Sequence, residues 1–202
     1  MREDEERIAG YYDRLVDRYG HDPRAVDASS AHSLHVRYSA LAEVTDLSGK
    51  EVLEVGCGFG DLGEFLQRRY EGVRYTGIDI SARMIEEGRR VHPELELREA
   101  NVLELEEEGS FDVVLAQGIF YLLGEGAEEK MHRLIHTMFR LAREAVAFSA
   151  VSAWAERKEP GEFYADPLRL LGFAHGLTTS VVLRHDYHAG DLTMYLYRTV
   201  RG

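Results

Sequence analysis

A single cysteine, Cys57, stands in the 202 residues, so no internal disulfide can form, as suits a reducing compartment. There are four prolines, no low-complexity linker and no internal repeat. Basic side chains are in deficit: 24 Lys and Arg face 36 Asp and Glu, a net charge of -12. Such a surface repels phosphate backbones and anionic membranes, so neither nucleic acid nor a membrane is an expected partner. Long apolar runs are missing as well; none approaches the ~18 residues that span a bilayer. The opening MREDEERIAG is charged and lacks the apolar centre of a signal peptide. A cytoplasmic location is the expectation. What remains, 45% hydrophobic and 30% charged residues, suits one globular domain with a core of its own.

Periodicity divides the chain. Ile8, Tyr11, Tyr12, Leu15, Val16 and Tyr19 recur at helical spacing and predict a helix over 3–19, ended by Gly20 and Pro23. A second helix is expected over 25–44. KEVLEV reads as a buried strand and 60–70 as a helix. VRYTGIDI is the next strand, and SARMIEEGRRVH a helix with Ser81 as N-cap and Pro93 beyond its end. ELELREA and FDVVLAQG are strands. The stripe of Met131, Leu134, Ile135, Met138, Leu141 and Ala142 marks a helix over 126–143, followed by the strand EAVAFSAV. This alternation from 50 to 150 predicts right-handed βαβ units and a parallel sheet covered on both faces. At the end, TSVVLRHDY and DLTMYLYRTV are separated only by HAG, which allows a hairpin and forbids a parallel crossover. The fold class is therefore α/β: a Rossmann-like, doubly wound, seven-stranded sheet, mostly parallel, with one antiparallel strand in a C-terminal hairpin.

The stretch VLEVGCGFGDLGEFL, residues 52–66, places Gly56, Gly58, Gly60 and Gly63 directly after the first strand. Glycine there weakens the fold unless something approaches the main chain closely. In a doubly wound sheet ligands lie beyond the carboxyl ends of the strands. Two ligands compete, a dinucleotide and S-adenosylmethionine. Gly58, Gly60 and Gly63 satisfy G-x-G-x-x-G, but a lone match is weak. Counted from Gly56, where the strand ends, the third glycine position is Asp61, a carboxylate that would face a pyrophosphate.

The other pattern is acid-x-G-x-G-x-G, on Glu54, Gly56, Gly58 and Gly60. With YTGIDIS, ANVLEL, FDVVLAQGIFYLL and the terminal hairpin in the same order, the chain resembles the class I S-adenosylmethionine-dependent methyltransferases over nearly its whole length. The resemblance implies one methyltransferase domain over 1–202. An N-terminal helical lid would occupy 1–45, a cofactor-binding core 50–150, and a substrate-side loop and hairpin 151–202. It also implies that Gly56, Cys57, Gly58 and Gly60 pass close to the cofactor's methionine part, with the Cys57 side chain packed under the loop. Asp79 ends the second strand, where its carboxylate can accept from both ribose hydroxyls. Ile80 and Met84 would flank the adenine, Asn101 and Val102 meet its edge, and Gln117 lie near the methionine end. The family often has Asp where Asn101 stands. Glu54 is expected to hold loop amides or the ligand's amino group, and Arg37 the ligand's carboxylate. The lid would bring Tyr11 to the cofactor and Tyr12 to the chemistry.

Methyl transfer needs alignment and exclusion of water, and a base only when the nucleophile arrives protonated. His185, beyond the sixth strand, is the candidate base, with Asp186 or Tyr187 as helpers. Phe120, Tyr121, Trp154, Tyr164 and Tyr187 are candidate walls for the acceptor. His132 and His136 lie four apart on a face expected to be solvated, with no third ligand nearby, so no metal is expected. The function implied is methyl transfer from S-adenosylmethionine to the oxygen or nitrogen of a small metabolite, neutral or cationic rather than polyanionic. A non-catalytic cofactor-binding or interaction protein on the same fold is the alternative; a protein substrate and a nicotinamide-dependent oxidoreductase stand further back.

Overall fold

The run EVLEV becomes strand β1, Glu51–Val55, buried from Val52 onward. In the computed structural model, which describes residues 2–106 and 108–199, it pairs in parallel with β2 (Arg74–Asp79) on one side and β4 (Phe111–Ala116) on the other. Covered on both faces, these strands have no reason to alternate apolar and polar side chains strictly. β3 (Glu96–Glu99), β5 (Ala142–Val151), β6 (Val181–Arg184) and β7 (Asp191–Tyr197) complete the order β3-β2-β1-β4-β5-β7-β6. β7 runs antiparallel to both its neighbours. The chain reverses its direction of travel across the sheet between β1 and β4, and this opens a crevice beyond their carboxyl ends.

Period-two alternation divides the side chains between two layers. Leu53, Val114, Phe148 and Met194 face α5 (Ala127–Leu141) and α6 (Pro167–Leu177), meeting Met131, Ile135, Leu170 and Ala174. Val52, Val113, Ala147 and Tyr195 face α2 (Ala31–Ala42), α3 (Asp61–Arg69) and α4 (Ala82–Val91), meeting Leu41, Leu62, Leu66 and Ile85. Each fully buried aliphatic side chain contributes about 1.5–3 kcal/mol. No helix among the described residues is long and apolar enough to cross a membrane.

The N-terminal helix α1 (Arg2–Tyr19) lies outside these layers. Its Val16 is buried with Ala25, Phe59 and Met84, and Tyr12 packs beside them. The Ser81 hydroxyl donates to Asp13 at 2.6 Å, and Arg83 pairs with Asp17 at 2.6 Å. α1 is thereby held across α4 and the loop that follows β1.

Three expectations are corrected. The helix expected over 25–44 is split: a 3-10 turn, Pro23–Val26, is capped by Asp22, and α2 starts only at Ala31, where Ser30 accepts from the amide of Ser33. Leu41 and Ala42 join the sheet's core, so α2 is a layer of the domain. The hairpin arms are also farther apart than HAG suggests, because β6 stops at Arg184. Finally, the stretch read as loop contains α6, started by the Asp166 side chain with Pro167 in the first turn.

Gly63 on α3 shows how tightly these layers meet. A Cβ there would lie 2.5 Å from Cε1 of the buried Tyr75 ring. Gly63→Val is expected to cost about 1–3 kcal/mol through overpacking, read as a lower urea midpoint; an unchanged midpoint would show that the ring can yield.

Candidate active site

Beyond Val55 the chain turns through Gly56, Gly58 and Gly60, all at positive φ (70°, 54° and 89°). At Gly56 a side chain is barred twice, since a Cβ would also lie 2.3 Å from Cγ2 of Ile119. The loop's amides are spoken for from below. Those of Gly56 and Cys57 donate to the carbonyl of Ile78 at 2.8 and 3.0 Å, and that of Gly58 donates to Asp79 Oδ2 at 2.9 Å. The other oxygen, Oδ1, accepts from the amide of Ser81 at 2.9 Å. Asp79 is therefore oriented by two backbone donors, one from the glycine loop and one from the N-cap of α4. Burial raises its pKa against the pull of those bonds.

The crevice holds a cavity of about 340 Å³. Its lining includes Gly56, Cys57, Gly58 and Asp79 at the ends of β1 and β2, Ile80, Met84, Asn101 and Val102, then Gln117, Phe120 and Tyr121 after β4, together with Glu54, Arg37 and Tyr12. Gly60 is the exception among the glycines. It serves as N-cap of α3, and its amide turns back to the Cys57 carbonyl at 2.9 Å. The Asn101 Oδ1 accepts from the Leu103 amide at 3.0 Å, capping a short 3-10 turn. Arg37 donates from Nε to Asp191 at 2.6 Å and from Nη1 to Ser33. The Cys57 thiol is buried, and burial pushes its pKa well up, which disfavours the thiolate.

Glu54 does not hold loop amides. It sits on the α2/α3 face of β1, 3% exposed, and accepts from the Tyr75 hydroxyl. Among the described residues no cation pairs with it. Burial, then the charges of Asp61 and Asp79, hold its pKa well above the usual carboxylate range. A carboxyl whose folded pKa is raised favours folding below its unfolded pKa, near 4.3, and that contribution is lost as pH rises through the folded pKa. Glu54→Gln keeps the acceptor for Tyr75 and removes the charge. Its thermal midpoint relative to the parent is expected to rise between pH 4 and pH 8; a difference independent of pH would show that the carboxyl does not titrate in this range.

Several assigned side chains are not brought to the cavity. His185 accepts or donates at Ser152 Oγ, 2.8 Å away, and faces the half-exposed Trp154. β6 is the sheet's far edge, four strand spacings from β1, and at about 4.8 Å each that is roughly 19 Å. His185 and Trp154 are therefore corrected as base and wall. Tyr187 accepts from Thr193 at 2.7 Å, and Tyr164 is held by the Glu159 amide and Glu162, both at 2.7 Å, so neither walls this cavity. Tyr11 also stands outside it and donates to Asp27 at 2.7 Å. Of the two histidines on the face expected to be solvated, His136 is exposed, whereas the His132 ring stacks on Phe173 at 3.7 Å and its Nε2 is buried with no hydrogen-bond partner among the described residues.

One constellation was missed. Tyr12 and Tyr121 are joined hydroxyl to hydroxyl at 2.5 Å, and Tyr121 donates to Asp27 Oδ2 at 2.7 Å. Since the Tyr121 proton is directed at the carboxylate, Tyr12 donates to Tyr121. A file of two phenols thus ends on an acid, and all three side chains line the cavity. Both phenols have pKa values raised, first by burial, so they remain protonated and cannot be bases themselves. Tyr12, expected near the chemistry, does line the cavity. Asp27 carried no motif: it follows a four-residue turn at φ 51°, an ordinary capping position.

A family model for a methyltransferase domain matches residues 52–145, which include the glycine loop, Asp79 and the strands around them. The trans-aconitate 2-methyltransferase of Afipia carboxidovorans is 27% identical over 187 residues, 80% of this chain and 71% of that protein. These matches support a class I S-adenosylmethionine-dependent methyltransferase. Its cofactor is S-adenosylmethionine. The fatty-acid O-methyltransferase of Mycolicibacterium smegmatis is 38% identical over 66 residues, but these are 33% of this methyltransferase and only 24% of that one. Among solved structures, magnesium protoporphyrin IX methyltransferase from Synechocystis with bound S-adenosylmethionine shares the fold, with TM-score 0.70, 17% identity and 97% of each chain covered.

Proposed function

We propose that this methyltransferase transfers a methyl group to an oxygen or nitrogen of a small neutral or cationic metabolite, and that the acceptor's proton leaves along Tyr12, Tyr121 and Asp27. When bound, S-adenosylmethionine supplies a methyl group already activated on a sulfonium. In this reading Asp79 takes the ribose, and Ile80, Met84, Asn101 and Val102 take the adenine. The glycine loop and Gln117 lie along the methionine end, with Arg37 toward its carboxylate. Glu54, a buried carboxyl with no cationic partner among the described residues, suits the ammonium group.

The hydroxyl file carries the proposal. A Tyr12 oxygen that already donates its proton onward is an acceptor for an incoming O–H or N–H. Aliphatic hydroxyls and ammonium groups reach an active site protonated, so a path to a carboxylate removes the obstacle to their attack. The lining also discriminates by charge. Asp4, Glu5, Asp27 and Glu162 line the cavity. Of its two cations, Lys130 pairs with Asp4 at 2.7 Å and Arg37 with Asp191 at 2.6 Å. A tricarboxylate such as the acceptor named for the Afipia enzyme would meet net negative charge there.

Incubation with methyl-labelled S-adenosylmethionine and a panel of hydroxy compounds, amines and polycarboxylates tests the reading. Label is expected in one of the first two classes. Transfer confined to polycarboxylates such as trans-aconitate, which need no proton removed, would overturn both the acceptor class and the role of the file.

A further inference from the structure

We propose that His21, Asp61 and His92 form a binding site for a divalent transition ion of the zinc type, on the seam between the N-terminal segment and the core. Both imidazoles direct Nε2 at the same oxygen, Asp61 Oδ1, from 2.8 Å for His21 and 2.9 Å for His92. Among the described residues this is the group of three such side chains whose ligand atoms all lie within 4.8 Å of one another. Two neutral imidazoles and a carboxylate are a borderline donor set, suited to zinc, cobalt or nickel rather than to magnesium or calcium.

The surroundings fit a metal better than a bare hydrogen-bonded cluster. The His92 side chain is only 7% exposed, and its other nitrogen, Nδ1, faces Glu94 at 3.8 Å. A carboxylate behind the second imidazole nitrogen is the usual support of a metal-bound histidine. The His21 ring lies edge-on to Phe59 at 5.0 Å, which restricts its swing. Around a tetrahedral ion with bonds near 2.0–2.1 Å, neighbouring ligand atoms lie about 3.3 Å apart. The present spacings are therefore about half an ångström short, and His21, 34% exposed, has room to supply the difference. Three protein ligands leave a fourth position for water.

The three ligands come from distant parts of the chain. His21 lies between α1 and the Pro23–Val26 turn, Asp61 opens α3, and His92 closes α4. An ion here would pin the segment that carries both Tyr12 and Asp27 to the body of the domain. This inference does not depend on the acceptor or on the proton path.

The test is titration of the untagged, chelator-stripped chain with Co²⁺ alone, followed by visible absorption, and then displacement by Zn²⁺. One saturable equivalent with micromolar or tighter affinity is expected. His21→Gln and His92→Gln should each weaken it about a hundredfold or more, and Glu94→Gln about tenfold. Bound ion should also slow amide exchange over residues 11–27. His92 is buried, so if its variant does not fold, His21→Gln decides. Absence of saturable binding, or binding that survives loss of His21, overturns the site.

Discussion

Asp79→Ala is expected to weaken binding of S-adenosylhomocysteine by about 1.5–3 kcal/mol, the usual worth of a hydrogen bond to a charged group, or roughly tenfold to 150-fold in Kd. The carboxylate is fixed by two amides, from Gly58 and Ser81, each on a different oxygen. Each oxygen keeps a further lone pair, and together they present two acceptors to a vicinal diol. The substitution also strips those amides of their partner, so part of any loss could come from the loop itself. A ligand lacking the 2′-hydroxyl separates the two causes. It should bind the parent more weakly than the full ligand does, whereas Asp79→Ala should bind both alike. Calorimetry that finds the same penalty for the missing hydroxyl in parent and variant would show that Asp79 does not meet the ribose.

The parts of the site that the sequence displays are those built within a few residues. Glu54 to Gly60 is a strand end and its turn; the glycines report positive φ directly, and Asp79 marks the next strand's end. Ser81 three residues before Met84 is a capping pattern that the structure keeps, with the Ser81 hydroxyl accepting from the Met84 amide at 3.0 Å. α6 was open to the same kind of reading, since Asp166-Pro167 before Leu168, Leu170 and Leu171 is a start signal. Its length between two strands of the sheet otherwise resembles a loop connection. What no local pattern supplies is the meeting of distant segments. Tyr12 and Tyr121 are 109 positions apart, and Asp27 and Tyr121 are 94 apart; their contact depends on where α1 settles on α4. His185 failed for the complementary reason. Its strand does run in the inferred direction, but direction along a sheet says nothing of distance across it, and β6 lies at the edge.

Asp27→Asn is expected to lower kcat by about a hundredfold or more, within the range general acid–base groups contribute, with the KM for S-adenosylmethionine little changed. The amide still accepts from Tyr121 and Tyr11, so the file's geometry persists while its terminal proton sink is gone. Tyr12→Phe breaks the file at its cavity end and should cost about as much. The double variant should be scarcely worse than either single one, because links in one path act as a unit. Tyr11→Phe is the contrast. That phenol also donates to Asp27, and burial and the carboxylate push its pKa up to about 12, but it lies off the path and should change kcat only slightly. Raising the pH should restore part of the rate in Asp27→Asn, since solvent hydroxide can then take the acceptor's proton. Parental rates in both Asp27→Asn and Tyr12→Phe would mean that the acceptor arrives already deprotonated, as a carboxylate does, and that the two phenols serve only to hold α1 against the strand ends.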